Sequence, residues 1–379
     1  LANGLFLNDG GLHPQMLRPF QPTFMVSPRQ QQTDRQRVIF ADLFHNETTA
    51  WLVLALSLAV TALGWWLSSQ AIEKRANDRF TFEVRDAQAR IQTRIKQYEQ
   101  MLRGGVALID ANGNMTRQTW RSYVATLNLQ KELPGVQGFA FAPRVDNAAL
   151  ASHEASIRGE GFGDYTVSPS GSRDMYFPIT FIEPFDTRNQ RAFGFDMFSE
   201  PVRRQAMTRA MDTGLATVSG LVQLKQEDQG SQRPGFLIYL PVYFPGVDLN
   251  TEAARRQAIR GFVYSPFRAA DLMQNVLGVE KIPLHFELFD SESLSPDTLI
   301  YDSEPDPGKR ERAGKFNHTH SVVVPIELSG RTWTARFESS PDFDGDIHSA
   351  LPTLILIAGG LIDLLLFLTI YSLVQQRKK

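Results

Sequence analysis

Hydrophobic and polar positions fall into three kinds of pattern along the chain. The first is two long apolar runs. Ala50 to Ser69 (AWLVLALSLAVTALGWWLSS) carries no charge and has Trp51, Trp65 and Trp66 toward its ends. Leu351 to Val374 is equally apolar except for Asp363, and Gln375-Gln376-Arg377-Lys378-Lys379 follows it directly. At helical rise, runs of this length cross a hydrocarbon core, and Trp suits its interface. They predict transmembrane helices over 50–69 and 351–374.

The second pattern is a stripe. From Ile72 to Leu102 there is no Pro or Gly, and Phe80, Val84, Ala87, Ile91, Ile95, Tyr98 and Leu102 recur in three- and four-residue steps. That is one face of a long helix. It predicts a stalk over 70–105, ending at Gly104-Gly105. The narrow stripe suits docking on its own domain together with pairing to a second copy.

The third pattern is short, aromatic and bounded by Gly or Pro. Val136 to Val145, MYFPITFIEPF, AFGFDMF, GFLIYLPVYFPG and RGFVYSPF read as strands. Helices are predicted between them over Thr119–Leu127, Ala148–Arg158 and Val202–Asp212, with another starting near Phe267. LHFELFD, TLIYDSE, HTHSVVVPIEL and RTWTARFESS are four more strands beyond Ile282. The expected architecture is an α+β membrane protein with two antiparallel-sheet units in tandem, at 106–272 and 273–348. Residues 1–49, rich in Pro, Gln and Gly, read as a disordered cytoplasmic lead. Residues 375–379 read as the start of a cytoplasmic output region. The chain starts without Met and stops just past the second run, so a piece of a longer protein is expected.

Composition narrows the partners. There are 39 basic and 41 acidic residues among 379, a net charge of -2, and no bulk positive field for nucleic acid. The absence of cysteine excludes a disulfide scaffold, a thiol nucleophile and a Cys-based zinc site. Arg377, Lys378 and Lys379 after the second span put that end in the cytoplasm, with weaker support from Arg29, Arg35 and Arg37 before the first. Two spans with both ends inside place 70–348 outside, which in a bacterium is the periplasm.

Candidate chemistry is sparse. His318 and His320 share one face of a strand, but no third metal ligand accompanies them. Asp342, Asp344 and Asp346 have oxygen-ligand spacing yet lack the bidentate Glu of a calcium loop. No nucleophile elbow is present. No cofactor, metal or catalytic residue is therefore assigned to this chain. Asp363 lies mid-span, where an ionised carboxylate costs several kcal/mol on insertion scales, so it is protonated or faces a partner. A bundle-interior contact across a dimer, beside Gly359 and Gly360, is expected, alongside the simpler alternative of a tolerated neutral acid.

The order of short motifs resembles a known family. Ile182-Glu183-Pro184, Gly194-Phe195-Asp196, Ser199-Glu200-Pro201 with Arg203 and Arg204, Asp212-Thr213-Gly214, Pro241-Val242-Tyr243 and Gly261-Phe262-Val263-Tyr264 are similar to the CHASE domain. This is the sensory module outside many receptor histidine kinases and nucleotide cyclases. The resemblance covers roughly Phe80 to Phe337. It implies a long stalk helix followed by two PAS-like units, the membrane-distal one (106–272) binding a small ligand. It also implies a non-catalytic input to a kinase or cyclase beyond Lys379. By the same resemblance, Asp196, Arg203, Arg204, Thr213, Ser219, Leu224 and Tyr239 are the candidate ligand-binding residues.

Relatives that bind adenine-type hormones carry an acid where this chain has Arg203, and a threonine where it has Tyr239. An arginine there removes an acceptor and supplies donors suited to a carboxylate or phosphate. An anionic or polar small molecule is expected. The bland alternative is that Arg203 or Arg204 pairs with Asp196, Glu200 or Asp212 to stitch a helix to a strand. The expected partners are a small ligand, the lipid bilayer and a second copy through the stalk. Two other functions stay open: a metal-dependent extracytoplasmic hydrolase using His318 and His320, and a ligand-free dimerisation module.

Overall fold

The structure is a computed structural model, and it describes residues 47–113, 115–227, 235–277, 283–304, 319–340, 343–344 and 350–378. The described residues fall into two compact units: 47–69 with 350–378, and those between 70 and 344.

In the first unit the two apolar runs are helical. The first lies in α1 (Glu47–Ala111) and the second is α9 (Leu351–Lys378). Both are long and apolar enough to cross a membrane. Residues 47–49 already belong to α1, and the rest of the predicted lead lies outside the described residues. The Thr61 hydroxyl donates to Asp363 Oδ2 at 3.0 Å, and Trp51 meets Phe367 with ring centroids 4.9 Å apart. A Cβ at Gly359 would stand 2.5 Å from Thr61 Cγ2. Asp363 therefore finds its partner on the first span, at the point where the two helices approach closely. Polar side chains hold helices together in this way when no water competes.

In the second unit, the stripe from Phe80 to Leu102 is entirely buried. It packs against the unit's own sheets, and each large apolar side chain so buried contributes about 1.5–3 kcal/mol. The helix does not stop at Gly104-Gly105. It continues to Ala111, because those glycines mark close packing instead of a break. A Cβ on Gly105 would lie 2.6 Å from the Phe139 ring and 3.0 Å from Val263.

After α1 come α2 (Arg117–Leu127) and α3 (Leu129–Glu132), then β1 (Phe139–Pro143) and β2 (Val145–Asp146). Next are α4 (Leu150–Gly159), β3 (Met175–Tyr176), β4 (Phe181–Glu183), α5 (Thr187–Gln190) and α6 (Pro201–Thr213). The first sheet closes with β5 (Thr217–Val218), β6 (Gly235–Tyr243), α7 (Glu252–Ala258) and β7 (Ile259–Arg268). Its strand order is β4-β1-β7-β6-β5, antiparallel throughout, and β2 pairs β3 separately. AFGFDMF is not a strand. It makes only isolated bridges at Phe195 and Asp196 and then a 3-10 turn over Met197–Ser199, because the Asp196 carboxylate caps that turn.

β7 runs to Arg268, so α8 (Ala269–Leu277) starts two residues after Phe267, and the boundary expected at 272–273 falls inside it. β8 (Leu284–Phe289), β9 (Leu299–Asp302), β10 (Ser321–Leu328) and β11 (Arg331–Ser339) form a second antiparallel sheet, ordered β10-β11-β8-β9. One shared core joins both sheets to α1: Trp333 of the second sheet meets Phe236 of the first edge-on at 5.1 Å.

Candidate functional site

The face of the first sheet turned from α1 is covered by α6, and the stretch that builds α6 is written in its caps. Glu200 is the N-cap, and its carboxylate accepts from the backbone N–H groups of Val202 (3.1 Å) and Arg203 (2.9 Å). Pro201 opens the first turn, where its missing N–H costs nothing. Gly214 ends the helix in the left-handed region at φ 73°. Between these caps Ala206, Met207, Ala210 and Met211 face the sheet.

Arg203 shares that inward face and is almost fully buried. Its Nη2 donates to the Gln223 carbonyl at 2.9 Å, and its guanidinium lies 5.2 Å from the centre of the Phe195 ring. Lys225 Nζ stands 4.7 Å from the centre of the same ring, so two cations share one aromatic. Glu200 is only a loose counter-ion, at 3.9 Å from Nη1. Two tyrosines, Tyr239 on β6 and Tyr264 on β7, lie opposite each other with rings 5.7 Å apart. Burial raises both phenols, and the positive charge of Arg203 opposes that shift in each. The Tyr239 hydroxyl lies beside Arg203 and donates to Met197 Sδ at 3.6 Å. The Tyr264 hydroxyl is buried with no hydrogen-bond partner among the described residues. A buried guanidinium lies here beside two buried hydroxyls, each able to donate or to accept.

The other candidate residues are spread more widely. Leu224 is buried in the same core and packs on Gly235, where a Cβ would stand 2.5 Å from Leu224 Cγ. Asp196 is fully buried, but its Oδ1 is committed to the backbone N–H groups of Phe177 (2.9 Å) and Phe198 (3.1 Å). Its Oδ2 faces Arg173 Nη1 at 3.5 Å without hydrogen-bond geometry. Burial outweighs those amides and raises the carboxyl above its usual range. Ser219 is also spent: it accepts from Leu237 N at 2.9 Å and donates to the Gly220 carbonyl at 2.8 Å.

Arg204 and Thr213 do not join the cluster. Both are exposed on the outer side of α6, Arg204 donating to the Phe198 carbonyl and Thr213 to the Arg209 carbonyl. Asp212 pairs with Arg256 at 2.7 and 2.8 Å, and not with Arg203 or Arg204. Tyr264 and Phe195 were missed at the sequence level. Alternation along β7 was the available signal for Tyr264, since Phe262 and Tyr264 point to one face.

The residues weighed as metal ligands and not assigned as such divide similarly. His318, Asp342 and Asp346 lie outside the described residues. His320 stacks on Phe80 with ring centroids 5.3 Å apart, and no group of metal-competent side chains among the described residues includes it. Asp344 is buried and accepts from Ser339 Oγ (3.0 Å) and Thr319 Oγ1 (3.2 Å), tying the end of the second sheet together.

Comparison with family models decides the broader identity: residues 113–301, from just after α1 into β9, match the CHASE domain. The chain carries a CHASE domain. That domain is a sensory module and not a catalytic one. Here it is flanked by two helices of membrane-spanning length.

The chain is similar to several solved structures. One is an extracellular ligand binding receptor from Desulfohalobium retbaense DSM5692, 11% identical with a TM-score of 0.43. The match covers 69% of this chain and 40% of that one, so the chain spans well under half of that receptor's length. A second is the extracellular domain of vpHK1S-Z8, described as a histidine kinase, at 11% identity and a TM-score of 0.40. It is covered over 99% of its length by 76% of this chain. A third is the corresponding domain of soHK1S-Z6, at 12% identity and 0.35, covered over 99% by 74% of this chain. No curated protein matches the chain.

Proposed function

We propose that this chain is the input region of a two-span receptor in a bacterial inner membrane, with 70–348 in the periplasm. A small ligand binds in the α6 layer of the first sheet, and the signal passes through the spans to a kinase or cyclase beyond Lys379. The observation that carries the ligand site is Arg203, a buried guanidinium beside Tyr239 and Tyr264 whose counter-ion Glu200 stands 3.9 Å away. The complement of such a place is an acceptor, so the ligand is anionic, a carboxylate or phosphate on a small body. Signalling requires only that the ligand favour one of two helix arrangements over the other.

The two sheets support the tandem PAS-like arrangement. In each, the first strand lies between the second and the last: β1 between β4 and β7, and β8 between β9 and β11. The stalk's inward stripe is occupied by its own domain, so pairing with a second copy would use the other faces of α1.

Thermal shift of the full chain in detergent against a panel of organic acids and phosphate esters tests this reading. A ligand at 100 times its Kd adds about 2.7 kcal/mol, and Arg203→Met should abolish that gain while leaving the unliganded fold intact. A panel that never shifts the melting temperature, or a shift unchanged in Arg203→Met, overturns the site.

A further inference from the structure

Away from the α6 layer, the second sheet gathers a histidine and two carboxylates at one point. His285 and Glu287 are two apart on β8, so they leave one face of the sheet, opposite the buried Phe286 and Leu288. Glu287 is in register with Asp302 on β9. One donor atom from each of His285, Glu287 and Asp302 lies within 4.8 Å of the others. Glu287 is 5% exposed and the Asp302 side chain 7%, so these are not acids waving in solvent. His285 Nε2 and Asp302 Oδ1 are 3.0 Å apart. Two ligands on one zinc ion, with bonds of about 2.0–2.2 Å, stand about 3.0–3.5 Å from each other.

Each of the three also has an outer partner. The other ring nitrogen of His285, Nδ1, faces Glu338 Oε2 on β11 at 3.4 Å. Arg336 on β11 holds Glu287. The backbone N–H of Glu304 donates to Asp302 Oδ1 at 2.8 Å. A metal-bound imidazole commonly gives its second nitrogen to a carboxylate, and ligating carboxylates are themselves hydrogen-bonded.

We infer that His285, Glu287 and Asp302 bind a divalent transition-metal ion of the zinc class, with Glu338 and Arg336 as positioning residues. One imidazole nitrogen and two carboxylates suit Zn2+ or Mn2+ better than Ca2+, which takes oxygen alone, or Cu(I), which prefers sulfur. Three protein ligands leave a coordination position for water. The ion would tie β8 to β9 and, through the outer partners, to β11. The site is independent of the α6 layer and of its ligand.

Equilibrium dialysis of the full, chelator-stripped chain against zinc, then against manganese, with metal counted per chain, tests the inference. One equivalent should be retained by the wild type and lost in His285→Gln and Asp302→Asn, with circular dichroism confirming that both variants fold. Glu338→Gln should weaken binding about 10–100-fold without abolishing it; unchanged affinity there would remove Glu338 from its positioning role. Folded wild type that holds neither metal, or metal retained undiminished by folded His285→Gln, overturns the site.

Discussion

The first sheet presents two faces made on different terms. Toward α1 lie Phe236, Ile238, Val263 and Phe267, packed with Tyr98 and Phe139 in an aromatic and aliphatic layer. Phe236 and Phe267 stack at 5.1 Å and Tyr98 meets Phe267 at 4.7 Å. The Tyr98 hydroxyl donates to the Pro134 carbonyl at 2.6 Å. Toward α6 lie Leu237, Tyr239, Phe262 and Tyr264, and into that layer the chain has put Arg203 and Asp196. Burying ions costs free energy that a purely structural layer has no reason to spend. The contrast separates an apolar face packed on α1 from a face into which buried charged side chains are placed.

The most severe way to test that contrast is on the α1 side. Phe267→Ala removes a fully buried ring and should cost about 3–5 kcal/mol in chemical denaturation. A loss below about 1 kcal/mol would mean that this layer is not the anchor.

Asp196 comes next. Asp196→Ala leaves the buried N–H groups of Phe177 and Phe198 without acceptors and should cost about 2 kcal/mol. Asp196→Asn keeps an acceptor oxygen and should cost far less. The pH dependence has a definite sign. The folded state raises this carboxyl above 3.8, so it binds the proton more tightly than the unfolded chain does. Its contribution therefore turns against the fold as pH rises through and above 3.8, and that component should vanish in Asp196→Asn. Parallel stability-versus-pH curves for wild type and Asp196→Asn would contradict it.

The smallest effect is the sharpest comparison, one hydroxyl on each face. Tyr98→Phe breaks a made hydrogen bond and should cost about 0.5–1.5 kcal/mol. Tyr264→Phe removes a buried hydroxyl with no partner among the described residues, and should cost nothing or stabilise. Equal losses at both positions would erase the distinction between the faces.

How far these features could be read in advance depends on their range along the chain. The stalk stripe was legible because helical periodicity is local, and each of its seven positions is buried. The extent of α6, expected over Val202–Asp212, was legible for the same reason: its caps Glu200 and Gly214 act within a turn of themselves. Gly104-Gly105 misled, because Gly104 serves an approach to Tyr123 and Gly105 an approach to Phe139 and Val263, and no local rule announces that. AFGFDMF has the aromatic alternation of a strand, but one carboxylate capping a turn overrode it. Of the candidate ligand residues, Arg203, Leu224 and Tyr239 converge, whereas Arg204 and Thr213 turn outward. Helix phase decides between Arg203 and Arg204, and motif order alone does not carry it. The grouping of His285, Glu287 and Asp302 was invisible, since strand register between β8 and β9 creates it.

The place of β7 in the first sheet has a consequence for how the protein is made. β7 lies between β1 and β6, pairing Tyr264 with both Ala140 and Tyr239. Ala140 leaves the ribosome long before Tyr264 exists, so β1 must wait for its inner neighbour through the synthesis of α4, α5, α6 and α7. Pairings so distant in sequence form slowly, and the loop that joins them must be closed before any contact rewards it. Until then Phe139 to Ala142, fully apolar, is an open strand edge of the kind that invites wrong partners. A chain halted before Ile259 would carry that edge without the strand that covers it, making β7 the natural checkpoint between a nascent domain and an aggregate.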